Sequence, residues 1–222
     1  MIVVVGGTKG GTGKTTIATN LTVMRSSASK KVLLVDADEQ KSASKFSNQR
    51  AALNIEMKWS TIQLGGKSLH TQISRLKSDY DDIIIDCGGR DTSSQRSALL
   101  VADYLIAPFS PSSYDIWEVG EVNLLLRDMK TANPKLKGIA FINRADPSGS
   151  DNEDSISILE ECEEFECLKF TVGYRKTFRS SSGGGLSVTE VKNYDKKAIQ
   201  EIQSLYDYIY TENIQKTYKI CF

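Results

Sequence analysis

Eight consecutive residues, Lys9-Gly10-Gly11-Thr12-Gly13-Lys14-Thr15-Thr16, carry the densest chemistry in the chain. They follow an apolar run, Ile2–Val5, and open a helix-like stretch from Thr15. In that setting glycines let backbone N–H groups turn inward around phosphate oxygens, and the helix N-terminus adds partial positive charge. Lys14 is then placed to neutralise the β- and γ-phosphates of a nucleoside triphosphate, and the Thr15 hydroxyl to ligate Mg²⁺. The Gly13-Lys14-Thr15 run in this context argues against a glycine turn that merely joins strand to helix. Two details depart from the general phosphate-loop pattern. Thr8 stands where a glycine is expected, and a second lysine, Lys9, precedes the double glycine.

Three other apolar runs end in polar groups. Val32–Val35 leads into Asp36-Ala37-Asp38-Glu39-Gln40, so two carboxylates lie beyond a strand end and can face the γ-phosphate side. Ile83-Ile84-Ile85-Asp86 has the shape of a Walker B strand, whose aspartate holds Mg²⁺ through water. It continues as Cys87-Gly88-Gly89-Arg90-Asp91; Cys87 reads as a small buried thiol, and Arg90 as either a phosphate contact or a surface arginine. Phe141-Ile142-Asn143-Arg144 ends a run with an amide, which offers both a donor and an acceptor.

The elements that must position these groups are legible as alternation. Short, nearly continuous apolar runs at Ile2–Val5, Val32–Val35, Ile83–Ile85, Tyr104–Ala107, Ile139–Ile142 and Leu168–Val172 read as buried parallel strands. Helix-like stretches at Thr15–Met24, Lys41–Leu53, Leu69–Leu76, Thr92–Val101, Ile116–Met129 and Ser155–Phe165 fall between them. The pattern predicts an α/β chain: a doubly wound, mostly parallel sheet flanked by helices, with ligands at the strand C-termini. Ser180-Ser181-Ser182-Gly183-Gly184-Gly185 has flexible-loop composition, so a mobile loop is expected near 180–187. A final helix is expected over 195–214, with Ile199, Ile202, Leu205 and Ile209 at helical spacing. Residues 1–222 then form one domain.

Composition excludes several classes. A chain of 222 residues, 40% hydrophobic and 25% charged, can bury about 70% of its unfolded surface and is not disordered. No apolar run approaches the ~20 residues of a membrane span, and the start lacks the basic region of a signal peptide, so a cytoplasmic location is expected. Four cysteines without a CxxC pair and one histidine, His70, argue against a structural zinc site or a disulfide framework. Charge is balanced, 28 against 28, but uneven: residues 151–166 hold eight acidic side chains and no basic one. Residues 169–197 hold seven basic against two acidic side chains.

The run from Lys9 to Thr15 resembles the deviant Walker A motif, KGGxGKT, of the ParA/MinD family of P-loop ATPases. The blocks at Asp36–Gln40, Asp86 and Asn143 resemble that family's later motifs in the same order, from Ile2 to about Glu190. The resemblance implies a Mg²⁺-dependent ATPase that closes into a homodimer around two ATP molecules. It assigns Lys9 to the partner's nucleotide, Asp38 to orienting the attacking water, Asp36 to the magnesium shell with Thr15 and Asp86, and Asn143 to the adenine edge. Glu39 replaces the family's proline, and Gly88-Gly89 replaces a proline pair.

Among family activities, the short ParA type that positions or partitions plasmid, chromosomal or other cargo is the expected one. The chain starts at its first strand, like the subgroup without an N-terminal DNA-reading domain. Such an ATP dimer would bind duplex DNA nonspecifically, associating with the nucleoid, and a ParB-like or adaptor partner would stimulate hydrolysis. The basic groups expected to meet DNA are Arg175, Lys176 and Arg179 before the serine–glycine stretch and Lys192, Lys196 and Lys197 after it. A MinD-like membrane-surface regulator is a weaker reading, because the tail Thr217–Phe222 is short and poorly segregated. A bacterial tyrosine kinase relative would use Tyr206, Tyr208, Tyr210 and Tyr218, but Lys9 has no place there.

Overall fold

All the strands of the sheet run parallel, in the order β3-β2-β4-β1-β5-β6-β7, with β8 pairing the far end of β6. The strands are β1 (Ile2–Val5), β2 (Val32–Asp36), β3 (Trp59–Gln63), β4 (Asp82–Asp86), β5 (Tyr104–Phe109), β6 (Lys137–Ala145), β7 (Phe165–Cys167) and β8 (Val172–Gly173). The helices are α1 (Lys14–Ser27), α2 (Ser42–Ala52), α3 (Leu69–Leu76), α4 (Ser93–Leu99), α5 (Ser113–Ala132), α6 (Asp151–Glu160), α7 (Lys176–Gly183) and α8 (Lys196–Asp207). This computed structural model describes residues 1–90, 92–111, 113–147, 150–192 and 195–212, with only the backbone at 113–117 and 212. Asp91 and the tail Thr217–Phe222, with Tyr218, lie outside the described residues.

Alternation along each strand builds two cores, because successive side chains leave opposite faces of a sheet. Ile2, Val4, Leu33, Val35, Ile83 and Ile85 point to the face covered by α3, α4, α5 and α6. Val3, Val5, Val32, Leu34 and Ile84 point to the face covered by α1, α2, α7 and α8. Burial on both faces explains why these strands read as continuous apolar runs. The chain winds one way from β1 to β2 and the other from β5 to β6, so the strand order reverses beside β1. Ligand crevices form at such switch points, at the strand C-termini. The phosphate loop follows β1 there.

Four expectations change. In place of the strand expected over Leu168–Val172 there are two short ones, β7 ending just before it and β8 starting at its last residue. Leu168 is apolar because its side chain plugs the core, while its N–H still reaches the Ala140 carbonyl at 2.8 Å. The first half of the loop expected near 180–187 is helical, since α7 runs through Gly183, and only 184–187 remain turn and coil. Phe178 anchors α7 in the core, and the Ser181 and Ser182 hydroxyls donate back to the Phe178 carbonyl instead of favouring coil. Helix α6 begins at Asp151 and ends at Glu160, before the sheet resumes at Phe165, so it is shifted from the expected Ser155–Phe165. Strand β3 has no counterpart among the expected runs; it lies at the sheet edge, where only Trp59 of its five residues is fully buried, so its apolar signal is weak. The final helix is capped by Asp195, which accepts from the Lys197 and Ala198 N–H groups, and continues into a π-helical turn at Tyr208–Glu212.

Candidate nucleotide-binding site

The phosphate loop takes its shape from two left-handed glycines, Gly11 at φ 83° and Gly13 at φ 94°. Gly13 is the N-cap of α1 and supplies no side-chain cap, so the first N–H groups of the helix remain available to an anion. Lys14 is buried, and its Nζ donates to the Lys9 carbonyl at 2.5 Å, holding the loop closed. Burial lowers the Lys14 pKa, while the negative charges of Asp86 and Asp38 oppose that shift.

Asp86 faces the same loop from the end of β4. It is fully buried, and neither carboxylate oxygen has a hydrogen-bond partner of good geometry. Burial pushes its pKa up to about 7, with Asp36 and Asp38 adding to the shift and the adjacent Thr15 hydroxyl and Lys14 opposing it. An orphaned carboxylate beside a threonine hydroxyl is a hard-oxygen donor set that a divalent cation such as Mg²⁺ would satisfy. Burial also pushes the Cys87 thiol strongly up, which leaves it protonated and unreactive. Among the described residues no group of three or more His, Cys, Asp or Glu side chains is arranged to hold a metal ion.

The two carboxylates at and beyond the end of β2 behave differently. Asp38 stands at the cleft, with Oδ1 accepting from the Gln40 N–H at 3.0 Å. Asp36 is beside Asp86 in the β2–β4 register, but its oxygens accept from the Ser44 N–H at 2.7 Å and the Asp38 N–H at 3.3 Å. Through these bonds it anchors the first turn of α2. The glycine pair after Asp86 is explained by close approach: a Cβ on Gly88 would lie 3.2 Å from Asp38 Oδ1, and one on Gly89 would overlap the backbone of Lys9 and Gly10.

Asn143 sits at the end of β6, directly under the phosphate loop. Its Nδ2 donates to the Thr12 carbonyl at 2.6 Å, beneath the loop, and the residue is 5% exposed. Through that bond the side chain supports the loop's backbone. Two supports were invisible in sequence: buried Gln95 of α4 accepts from the Gly7 N–H at 3.1 Å, and Glu118 of α5 accepts from the Thr8 hydroxyl at 2.6 Å. A lone Gln or Glu on a helix carries no signal of such a partner. The assembled cleft has a volume of about 880 Å³ and is lined by, among others, Gly10, Lys14, Asp38, Gly89, Arg90 and Arg144.

The residues expected to meet DNA separate into two groups. Arg175 is withdrawn, because its guanidinium grips Glu201 with bonds of 2.8 and 2.5 Å and lies 4.0 Å from Asp195. Lys176, Arg179, Lys192, Lys196 and Lys197 are exposed.

A parallel sheet with a glycine loop, a lysine opening the following helix and a buried carboxylate at its switch point defines a P-loop nucleotide-binding protein. The profile of the CobQ/CobB/MinD/ParA nucleotide binding domain matches residues 3–188, and the chain belongs to that family. Maintenance of carboxysome distribution protein A of Halothiobacillus neapolitanus is 26% identical over 212 residues, covering 89% of this chain and 90% of that protein. Protein IncC of Escherichia coli is 23% identical over 147 residues, 65% of this chain but 41% of IncC. The fold is shared with an ATP complex of McdA from Cyanothece, at TM-score 0.77 and 15% identity over 94% of this chain and 95% of that one. It is also shared with a plasmid partition protein of Borrelia burgdorferi bound to AMPPNP, at TM-score 0.73 and 22% identity over 93% and 96%.

Proposed function

We propose that this chain is a Mg²⁺-dependent ATPase of the positioning type, cycling between an ATP-bound homodimer and a nucleotide-free or ADP-bound monomer. The observation that carries the reading is the meeting of Lys14, Thr15 and Asp38 in one cleft, with the buried Asp86 carboxylate beside the Thr15 hydroxyl. Thr15 and Asp86 would hold Mg²⁺, which when bound neutralises charge on the β- and γ-phosphates. The α1 N-terminus and Lys14 bind the phosphates, and Asp38 orients the water at the γ-phosphate. Lys9 serves the partner's nucleotide.

Cargo positioning is supported by the carboxysome-distribution relative, which matches along nearly its whole length. The exposed Lys176, Arg179, Lys192, Lys196 and Lys197 supply a nonspecific phosphate-backbone surface, doubled in a dimer, and a separate ParB-like or adaptor protein times hydrolysis. Asp38→Ala tests the reading. It is expected to bind ATP, slow hydrolysis about 10²–10⁴-fold, and accumulate as a dimer that retains unrelated duplexes alike. Unchanged turnover removes Asp38 from its role. A dimer that ignores DNA at low salt removes nucleoid binding while leaving the ATPase standing.

A further inference from the structure

Gln95 is fully buried, and its amide is engaged on one side only. Its Oε1 accepts from the Gly7 N–H at 3.1 Å, just beyond the end of β1 where the phosphate loop begins. Its Nε2, also buried, meets no hydrogen-bond acceptor among the described residues. The bond from Gly7 fixes which end of the amide carries the hydrogens, since only the oxygen can accept. The seat is shaped for this side chain: a Cβ on Gly6 would lie 2.8 Å from Gln95 Oε1.

The same helix grips other walls of the cleft. The Gln95 N–H donates to the Thr92 hydroxyl at 3.1 Å, which caps α4. Ser94 Oγ accepts from the Gly66 N–H at 2.8 Å and so holds the connection between β3 and α3. Thr92, Ser93, Ser94 and Gly66 line the cleft, and Gly88, between β4 and α4, lies against Asp38. Helix α4 thus joins the start of the phosphate loop to the side of the cleft that carries Asp38. Gln95 lies behind the cleft rather than in its lining, so it acts through Gly7 and α4. Buried donors are nearly always paired, and an unpaired one costs free energy that pairing in another state recovers. Resting on the proposed nucleotide site, we infer that Gln95 is a positioning residue that senses the γ-phosphate. When a triphosphate draws the start of α4 toward the phosphate loop, the free Nε2 gains an oxygen acceptor, and the closed arrangement is favoured for ATP over ADP.

The test compares the wild type with Gln95→Met, which keeps the side chain's length and removes both the acceptor and the unpaired donor. Melting without nucleotide is expected to be nearly unchanged, because the lost Gly7 bond and the relieved donor offset each other. In Mg²⁺, the variant is expected to bind a nonhydrolysable ATP analogue about tenfold more weakly and ADP within about twofold of the wild type. In the wild type, NMR of the assigned Gln95 side-chain amide is expected to show its protons moving downfield and exchanging more slowly with the ATP analogue, and not with ADP. The positioning role is overturned if those signals ignore the ATP analogue or answer ADP equally, a readout that stands even where Gln95→Met fails to fold. It is also overturned if the variant binds the ATP analogue normally, or loses affinity for the ATP analogue and ADP alike, which makes Gln95 a structural support only. Failure of the wild type to bind either nucleotide overturns the nucleotide site itself, and this role with it.

Discussion

The Asn143 amide and the Thr12 carbonyl are 131 residues apart in sequence and 2.6 Å apart in space. This bond ties the end of β6 to the middle of the phosphate loop, at a point where Gly13 has no room for a side chain: a Cβ there would overlap Asn143 Nδ2. Asn143→Leu leaves the buried Thr12 carbonyl without its donor and is expected to destabilise the chain by about 1–3 kcal/mol. Urea unfolding measures this directly. Stability equal to wild type would show the bond to Thr12 to be dispensable to the fold.

Asp86 gives the nucleotide-free chain a defined pH dependence. Its carboxyl ionises near 3.8 in the unfolded chain and at about 7 when folded, so the folded state holds the proton longer. Stability from this group is full below 3.8, falls as pH rises toward 7, and levels off above. Asp86→Asn is expected to melt higher than wild type at pH 8 without nucleotide or Mg²⁺, with the gap shrinking at pH 4–5, and to lose hydrolysis. Thermal melts across pH, with and without Mg²⁺, check the stability part, and a phosphate-release assay checks the other.

Buried Arg50 donates to both Glu190 oxygens at 2.7 and 2.8 Å and to the Gly185 carbonyl at 3.1 Å. This clamp fastens the segment after α7 to α2. Glu190→Ala strands a guanidinium in the protein interior and is expected to cost about 2–3 kcal/mol. Glu190 is partly exposed, which places the loss at the lower end for a broken buried pair. Denaturant titration reads it. A shift under a few tenths of a kcal/mol means that the ion pair is dispensable to the fold.

The basic face divides into structural and available cations. Lys192, Lys196 and Lys197, replaced together by alanine, are expected to reduce the log–log salt slope of DNA affinity while leaving ATP binding intact. The reduction is up to about 0.9 for each phosphate that no longer meets a lysine. Arg175→Ala instead is expected to lower stability, because Glu201 loses its bidentate partner. Anisotropy titrations at several salt concentrations separate the two, and a slope unchanged by the triple substitution would move the DNA-binding surface elsewhere.

The sequence by itself determined the phosphate loop, the carboxylate at the end of β4 and the doubly wound sheet. Those features are local: a strand, a glycine turn and a helix start place Lys14 and Thr15 through backbone geometry alone, and buried parallel strands show themselves as apolar runs. Tertiary structure decided what depends on partners distant in the chain. Asp36 became an anchor for α2 because Ser44 offers it an N–H, Arg175 left the basic face because Glu201 lies across from it, and Asn143 turned inward to Thr12. The serine–glycine stretch became helix as far as Gly183 once Phe178 found the core. A side chain's type announces what bonds it can make, but only the folded chain sets which partner comes within bonding distance.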